Sequence, residues 1–197
     1  MKVDINKLKE LRARTGAGVV DCRNALQESE GDIDKAIEIL RRKGIVKAAK
    51  KAGRITKEGI IDAYIHPGER IGVMIEVNCE TDFVARNQEF RRFVHDLSLQ
   101  IAATDPISVS REDVPLDVIE KEKSIYREQI DTEKKPPHII DKIVNGKLEK
   151  FYRDVCLLEQ PFVKNPEITI GDYLKEHIAK FGENIIIRRF IRYRLGE

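Results

Sequence analysis

The spacing of apolar residues changes from a helical period to a period of two near Gly59, and this change limits the possible folds more than any other feature of the chain. Before it, apolar residues recur every three or four positions, beginning with Ile5, Leu8 and Leu11. After it they alternate with more polar neighbours, as Ile61, Ala63 and Ile65 and then as Ile71, Val73, Ile75 and Val77. Helices followed by a β-hairpin predict the α+β class.

Residues 1 to 52 are predicted to form three short helices. The first ends at Thr15-Gly16-Ala17-Gly18, where two glycines break the helical pattern, and the second runs from Val19 to Glu28. Asp32 is a candidate N-cap for the third, and Gly44 is expected to end it. Three helices of this length predict a compact bundle of the ubiquitin-associated type, a fold that usually serves as a binding module.

The rest of the chain is predicted to be a core of a small antiparallel β-sheet with helices packed on one face. Asn87 can cap a helix whose apolar stripe comprises Phe90, Val94, Leu97 and Ile101. Further helices are expected over residues 115–134, over 138–158 with a separation at Asn145-Gly146, and over 173–181. Residues 184–193 are rich in β-branched side chains and predict a third strand. We therefore expect a bundle with a basic linker over 1–54 and an α+β core over 55–197.

The balance of basic and acidic residues also differs between the N-terminal part of the chain and the rest. Residues 1–57 carry 15 basic and 8 acidic side chains, whereas the remainder carries 21 basic and 26 acidic ones. The run from Arg41 to Arg54 has no acidic residue, so it fits either a solvated connector or a contact with RNA. Because no aromatic residue interleaves the basic ones to stack on bases, the connector is the favoured interpretation.

Several classes of function find no support in the sequence. The three cysteines and four histidines are scattered, so we expect neither a disulfide framework nor a metal site, and no cofactor. No phosphate-binding glycine loop or nucleophile elbow occurs, and no apolar run is long enough to span a membrane. Glu76, Glu80 and Asp82 are the residues that an acid–base enzyme would use, but acids at a hairpin end are usually only solvated. A reducing cytosol fits the cysteine pattern.

Two apolar residues fall outside the predicted core. If Val19, Cys22, Ala25 and Leu26 form the buried stripe of the second helix, Val20 lies almost opposite that stripe. Phe83 belongs neither to the alternating strand before it nor to the helical stripe after it. It is either a hydrophobic staple folded under the following helix or a projecting aromatic anchor for a partner, and spacing alone does not decide between them.

Four segments of the chain resemble bacterial elongation factor Ts, the family of guanine-nucleotide exchange factors for elongation factor Tu. They are Thr15-Gly16-Ala17-Gly18-Val19-Val20-Asp21, Asn78 to Asn87 around Thr81-Asp82-Phe83-Val84, Leu157 to Val163, and Gly182-Glu183-Asn184-Ile185 with Arg188-Arg189-Phe190. They occur in the family's order and span nearly the whole chain. The length resembles a short form with a single core unit and no long coiled-coil insertion.

The resemblance implies a cytoplasmic translation factor that is not itself an enzyme. It binds elongation factor Tu, both GDP-bound and nucleotide-free, and it needs no membrane or specific nucleic acid. Short forms are expected to pair, so it also implies a homodimer, for which the sheet with strand 185–191 is a candidate interface. By position, the resemblance implies an exchange wedge at Thr81, Asp82, Phe83 and Val84, and a docking surface at Leu11, Arg12, Thr15, Gly16, Ala17, Gly18, Val19 and Val20. The competing hypothesis is an RNA- or ribosome-associated protein, which predicts RNA affinity that falls steeply with salt.

Overall fold

The computed structural model describes residues 3–130 and 136–197 and begins with three helices. They are α1 (Ile5–Thr15), α2 (Val19–Glu28) and α3 (Ile33–Ala49). Asp4 accepts a hydrogen bond from the backbone N–H of Asn6 at 2.8 Å, and Asp32 accepts one from Lys35 at 3.0 Å, so a side-chain cap starts both α1 and α3. The buried residues shared by the three helices are Leu11, Cys22, Ala25, Leu26, Ala36 and Ile39.

Two expectations for these helices are wrong. The third helix does not end at Gly44 but continues to Ala49. A Cβ at position 44 would lie 3.5 Å from the Cβ of Ala179, so another part of the chain packs against the helix there and offsets the low helix propensity of glycine. Val19 is exposed rather than part of the buried stripe, because it is the first residue of α2 and lies at the end of the bundle.

The predicted hairpin and third strand form one three-stranded antiparallel sheet. Its strands are β1 (Glu58–Ile65), β2 (Ile71–Cys79) and β5 (Ile185–Arg194), in the order β1-β2-β5. In β2 every second residue is buried, from Val73 to Cys79, as the alternation predicts. Along β5 the alternation changes phase at Arg188 and Arg189, two successive exposed residues.

In the described part of the chain, five α-helices follow the hairpin. They are α4 (Asp82–Arg86), α5 (Gln88–Thr104), α6 (Leu116–Glu128), α7 (Pro137–Val155) and α8 (Ile170–Phe181). The expected separation at Asn145-Gly146 is wrong, since α7 runs through both residues with Val144 and Leu148 buried on one face. Part of the helix expected over 115–134 lies outside the described residues. The sequence did not reveal α4 or the short antiparallel pair β3 (Pro161–Phe162) and β4 (Asn165–Thr169).

By contact density the chain groups into two compact units, each assembled from three segments. The first comprises Met1–Ile60, Val77–Phe93 and Asp172–Ile186, and the second comprises Ile61–Glu76, Val94–Gly171 and Ile187–Glu197. In the second, α6 and α7 and the residues beside their ends form a buried cluster of Val114, Ile119, Ile130, Val144, Leu148 and Cys156. The α+β class is confirmed. The division into a bundle over 1–54 and a core over 55–197 stays a prediction. Among the described residues, no helix is both long and apolar enough to cross a membrane.

Candidate protein-interaction site

The short helix α4 carries the most exposed aromatic side chain among the described residues. It begins directly after Thr81, whose backbone is extended, and it buries Ala85 while Phe83 is 83% exposed. Because residues two apart on a helix point to nearly opposite sides, burying Ala85 turns Phe83 outward. A staple would fold its side chain under the helix, so the exposure of Phe83 does not fit that alternative. Val84 is partly buried.

Asp82, the residue before Phe83, forms an ion pair within the same helix. Its carboxylate lies 3.1 Å from the guanidinium Nη2 of Arg86, one helical turn away. Both side chains are more than one-third exposed, so the pair contributes well under about 1 kcal/mol. The Asp82 carboxylate can therefore leave Arg86 for another partner at little cost.

The segment that leads into α4 is held by the carboxylate of Glu183, which lies between α8 and β5. Oε2 of Glu183 accepts hydrogen bonds from the backbone N–H groups of Glu80 at 3.1 Å and Thr81 at 3.0 Å, and Oε1 accepts one from the Thr81 hydroxyl at 2.5 Å. In return, Oε1 of Glu80 accepts a hydrogen bond from the backbone N–H of Asn184 at 2.6 Å. The side-chain amide of Asn184 donates to the carbonyl of Arg54 at 2.9 Å.

A buried thiol completes the support beneath α4. Sγ of Cys79 lies 3.2 Å from the carbonyl oxygen of Thr81 and donates to it. Burial first, and then the negative charge of Glu183, raises the pKa of the Cys79 thiol to about 11. The thiol is therefore protonated at neutral pH and remains a donor.

The second predicted contact region, Leu11, Arg12 and Thr15 to Val20, surrounds a tight turn between α1 and α2. Gly16 adopts φ 63°, the left-handed conformation that ends α1, and its N–H donates to the carbonyl of Arg12 at 2.8 Å. The hydroxyl of Thr15 donates to the carbonyl of Leu11 at 2.7 Å. The exposed residues of this region are Arg12, Gly16, Gly18, Val19 and Val20. Ala17 is partly buried, and Leu11 has no exposed surface and belongs to the bundle core.

A lysine of α8 joins this turn to the start of α5. A Cβ built at Gly16 would lie 2.6 Å from Nζ of Lys180, so the lysine crosses directly over the turn. The same Nζ donates to the carboxylate of Glu89, whose pKa is lowered chiefly by this hydrogen bond. On the next turns of these helices the rings of Phe93 and His177 stack with centroids 4.3 Å apart. Within this compact unit, α8 therefore links the bundle to the segment that carries α4 and α5.

The acids considered for acid–base catalysis do not act as a pair. Glu76 binds Nε of Arg189 at 2.8 Å, Glu80 accepts from Asn184, and Asp82 binds Arg86. Each carboxylate has its own partner, so the geometry gives no acid and base facing one substrate. Over residues 3–130 and 136–197, no cluster of three or more His, Cys, Asp or Glu side chains could hold a metal ion.

Sequence reasoning missed the three residues that support these regions. Glu183 had a visible signal, since Gly182-Glu183-Asn184 directly follows the predicted end of a helix, but nothing in that segment indicated that its carboxylate binds Thr81. Glu89 and Lys180 had no such signal in the sequence. Their contacts join residues about a hundred positions apart, and no local pattern reports such a separation.

Comparisons with known proteins give one consistent result. A family model described as Elongation factor TS matches residues 2–197. A protein named Elongation factor Ts from Carboxydothermus hydrogenoformans is 62% identical over 190 residues, covering 96% of this chain and 88% of the relative. Proteins of the same name from Caldanaerobacter subterraneus and Thermodesulfovibrio yellowstonii are 59% and 56% identical, covering 99% and 100% of this chain and 98% of each relative.

Proposed function

This chain belongs to the elongation factor Ts family of translation elongation factors, and on that premise we propose that it binds elongation factor Tu and promotes the exchange of bound GDP for GTP. It breaks no covalent bond in doing so. The chain changes the affinity of another protein for a nucleotide. The observation that carries the proposal is the projecting Phe83, 83% exposed on a short helix whose two preceding residues, Glu80 and Thr81, donate three hydrogen bonds to Glu183.

The proposed mechanism follows from linkage between two ligands of one protein. A factor that binds nucleotide-free elongation factor Tu more tightly than the GDP-bound form must weaken GDP binding by the same ratio. Mg²⁺ holds phosphate oxygens in strict octahedral geometry, so a small displacement near the ion is enough to weaken its contacts. Phe83 inserts between elements of the partner beside this site, and Asp82 brings a negative charge there or competes for local hydrogen bonds.

The turn between α1 and α2 supplies the second contact in this proposal. Val19 and Val20 are exposed apolar side chains at the start of α2, and Arg12 lies exposed in the last turn of α1. Apolar anchors with a charged neighbour are typical of protein interfaces. This surface provides the binding energy that keeps the wedge engaged while GDP leaves. Leu11 supports it from the bundle core.

The test is a nucleotide-release measurement with purified components. Elongation factor Tu loaded with fluorescent GDP is mixed with an excess of unlabelled nucleotide, with and without the chain. We expect the chain to speed the loss of fluorescence, and we expect the rate of loss to saturate as the concentration of the chain increases. Unchanged release at all concentrations, together with no complex between the chain and nucleotide-free elongation factor Tu, would contradict the proposal. Salt-sensitive binding to RNA without any effect on release would favour the ribosome-associated alternative.

We further propose that two copies of the chain pair through the outer face of the three-stranded sheet. In the second compact unit this face exposes Ile61, Ile65, Met74, Ile191 and Tyr193. Residues 61 and 65 share one face of β1, and Cδ1 of Ile65 reaches over Gly72 of β2. Glu76 and Arg189 are paired with each other, so this pair leaves no unmatched charge for a second copy to meet. A mostly apolar face fits an identical face better than a strongly charged surface does.

A cytoplasmic location completes the proposal. The three cysteines are free and buried, in keeping with a reducing compartment. Elongation factor Tu, the partner proposed here, acts in translation, so the two proteins would share that compartment. Fractionation of cells that express a tagged chain would test this directly.

A further inference from the structure

We propose that Glu183 is a positioning residue that sets the orientation of α4 and thereby the direction in which Phe83 projects. The inference rests on the proposed exchange function and adds to it a residue that does not contact the partner. The carboxylate accepts all three of its hydrogen bonds from the two residues that precede α4, namely Glu80 and Thr81.

The helix α4 needs such support because of its length. It has five residues, fewer than two turns, and a helix this short is not stable by itself. Its N-cap residue, Thr81, makes no side-chain capping bond to α4. The hydroxyl instead donates to Glu183, so the start of the helix is fixed from outside rather than by its own cap.

Every polar group of Thr81 is occupied within the protein. Its N–H and hydroxyl donate to Glu183, and its carbonyl accepts from the Cys79 thiol at 3.2 Å and from the N–H of Ala85 at 3.3 Å. These bonds fix both ends of the residue that determines where α4 begins. Thr81 therefore acts in the wedge by orienting it, whereas Phe83 and Asp82 are left to meet the partner.

The position of Glu183 is itself fixed by its neighbours in the chain. Gly182, with φ 74°, ends α8 immediately before it, and the N–H of Asn184 after it is held by Glu80 at 2.6 Å. Asn184 is buried, and its side chain is tied to the carbonyl of Arg54. The Glu183 carboxylate thus binds the backbone before α4, and the Glu80 carboxylate binds the backbone before β5. This arrangement is rigid enough to hold a side chain that must project into a partner.

The test compares matched variants in the GDP-release measurement. Glu183→Gln keeps the shape but replaces one acceptor oxygen with a donor, Thr81→Val removes the hydroxyl, and Thr81→Ser retains it. We expect Glu183→Gln to lower the maximal release rate about tenfold, because hydrogen bonds to a charged group are lost, while the concentration for half-maximal effect changes less than about twofold. Thr81→Val should lower the rate by a smaller factor and Thr81→Ser should restore it. Glu167→Gln, an exposed residue of β4, is the control and should behave as the unaltered chain.

Amide hydrogen exchange of the free chain supplies a readout that needs no partner. The N–H groups of Glu80 and Thr81 should be protected in the unaltered chain and should exchange at least tenfold faster in Glu183→Gln. Inactivity of the unaltered chain would overturn the proposed function. An active unaltered chain beside a fully active Glu183→Gln would overturn this inference alone. Unchanged amide protection in Glu183→Gln would also overturn it. So would a release rate for this variant that falls only in proportion to its loss of affinity and thermal stability.

Discussion

At the scale of single residues, Phe83 and Phe90 show how position decides what an aromatic side chain does. They lie in consecutive helices, yet Phe83 is 83% exposed and Phe90 is fully buried. We expect Phe83→Ala to lower the rate of GDP release roughly 30-fold, since an aromatic anchor contributes about 2 kcal/mol or more to an interface. It should leave the free energy of unfolding nearly unchanged, because the side chain buries little surface within the chain. The measurements are nucleotide release and urea unfolding.

Phe90→Ala is the matched control for that variant. Removing a buried phenylalanine should cost about 3 to 5 kcal/mol of stability through lost burial and the cavity left behind. Phe83→Ala is therefore expected to slow nucleotide release without loss of stability, whereas Phe90→Ala is expected to lower the free energy of unfolding. Release that Phe83→Ala leaves unchanged would contradict the assignment of Phe83 as the wedge. A large loss of stability in Phe83→Ala would show instead that the side chain packs within the protein.

Gly16 is constrained in two ways, and the two can be separated. Its φ of 63° is costly for a residue with a Cβ, and that Cβ would come 2.6 Å from Nζ of Lys180. We expect Gly16→Ala to lower the free energy of unfolding by about 1 to 2 kcal/mol, mostly from the backbone, because a lysine tip can move aside. Thermal or urea unfolding measures the loss. The double variant Gly16→Ala with Lys180→Ala should recover little of it, and full recovery would identify the clash as the cause instead.

At the scale of elements, hydrophobic spacing predicted most helices and strands where one face is buried. The bounds expected for α2 are those observed, and α5 spans the residues predicted from the Phe90 stripe. The errors came from residues read only through local propensity. Local propensity predicts breaks at Gly44 and at Asn145-Gly146, but packing against the rest of the chain keeps both helices continuous. The helix α4 was missed because five residues are too few to show a period.

The candidate site was predictable only in part, for a related reason. Helical phase identified Val20 as an outlier, and the failure of Phe83 to fit either pattern marked it as unusual. Both are exposed in the structure. The groups that hold these regions in place lie far along the chain: Lys180 is in the last turn of α8, and Glu183 lies between α8 and β5. Which distant carboxylate meets which backbone N–H depends on the whole fold, and a single sequence does not contain that information in any local pattern.

The contact between α8 and α5 gives a prediction about pH. The hydrogen bond from Lys180 lowers the pKa of Glu89, so the folded state binds a proton there less readily than the unfolded state does. The stabilisation is therefore fully present above the unfolded pKa of about 4.3 and is lost as pH falls through the lower, folded value. Because the Glu89 side chain is 43% exposed, we expect Glu89→Gln to cost less than about 1 kcal/mol at pH 7.

Urea unfolding of the unaltered chain and of Glu89→Gln at several pH values measures this effect. The difference between the two should be constant from pH 6 to 8 and should shrink below about pH 4.5. Glu167→Gln is the control and should show no such dependence. A difference that grew on acidification would contradict the assigned role of the Lys180 hydrogen bond.

At the scale of the whole molecule, the chain contains two kinds of exposed apolar surface that need different partners. In the first compact unit, Val19 and Val20 lie in the basic N-terminal segment, and Phe83 projects from the short helix α4. In the second, the sheet exposes a contiguous apolar face whose charged neighbours, Glu76 and Arg189, are already paired. The first surface fits recognition of a different protein. The second fits a permanent contact between copies, because most of its exposed side chains are apolar.

The sheet face therefore predicts a dimer that a single charge disrupts. Ile61→Glu and, separately, Tyr193→Glu would bring two like charges together at a twofold contact, and like charges desolvated in an interface are strongly unfavourable. We expect the unaltered chain to sediment as twice 22.7 kDa and each variant as 22.7 kDa at micromolar concentration. Ile5→Glu is the matched control, since Ile5 and Ile61 are each 66% exposed but Ile5 lies on α1, and that variant should remain dimeric. A monomeric unaltered chain would contradict the proposed pairing. Variants that stay dimeric would show that the copies pair through a different surface.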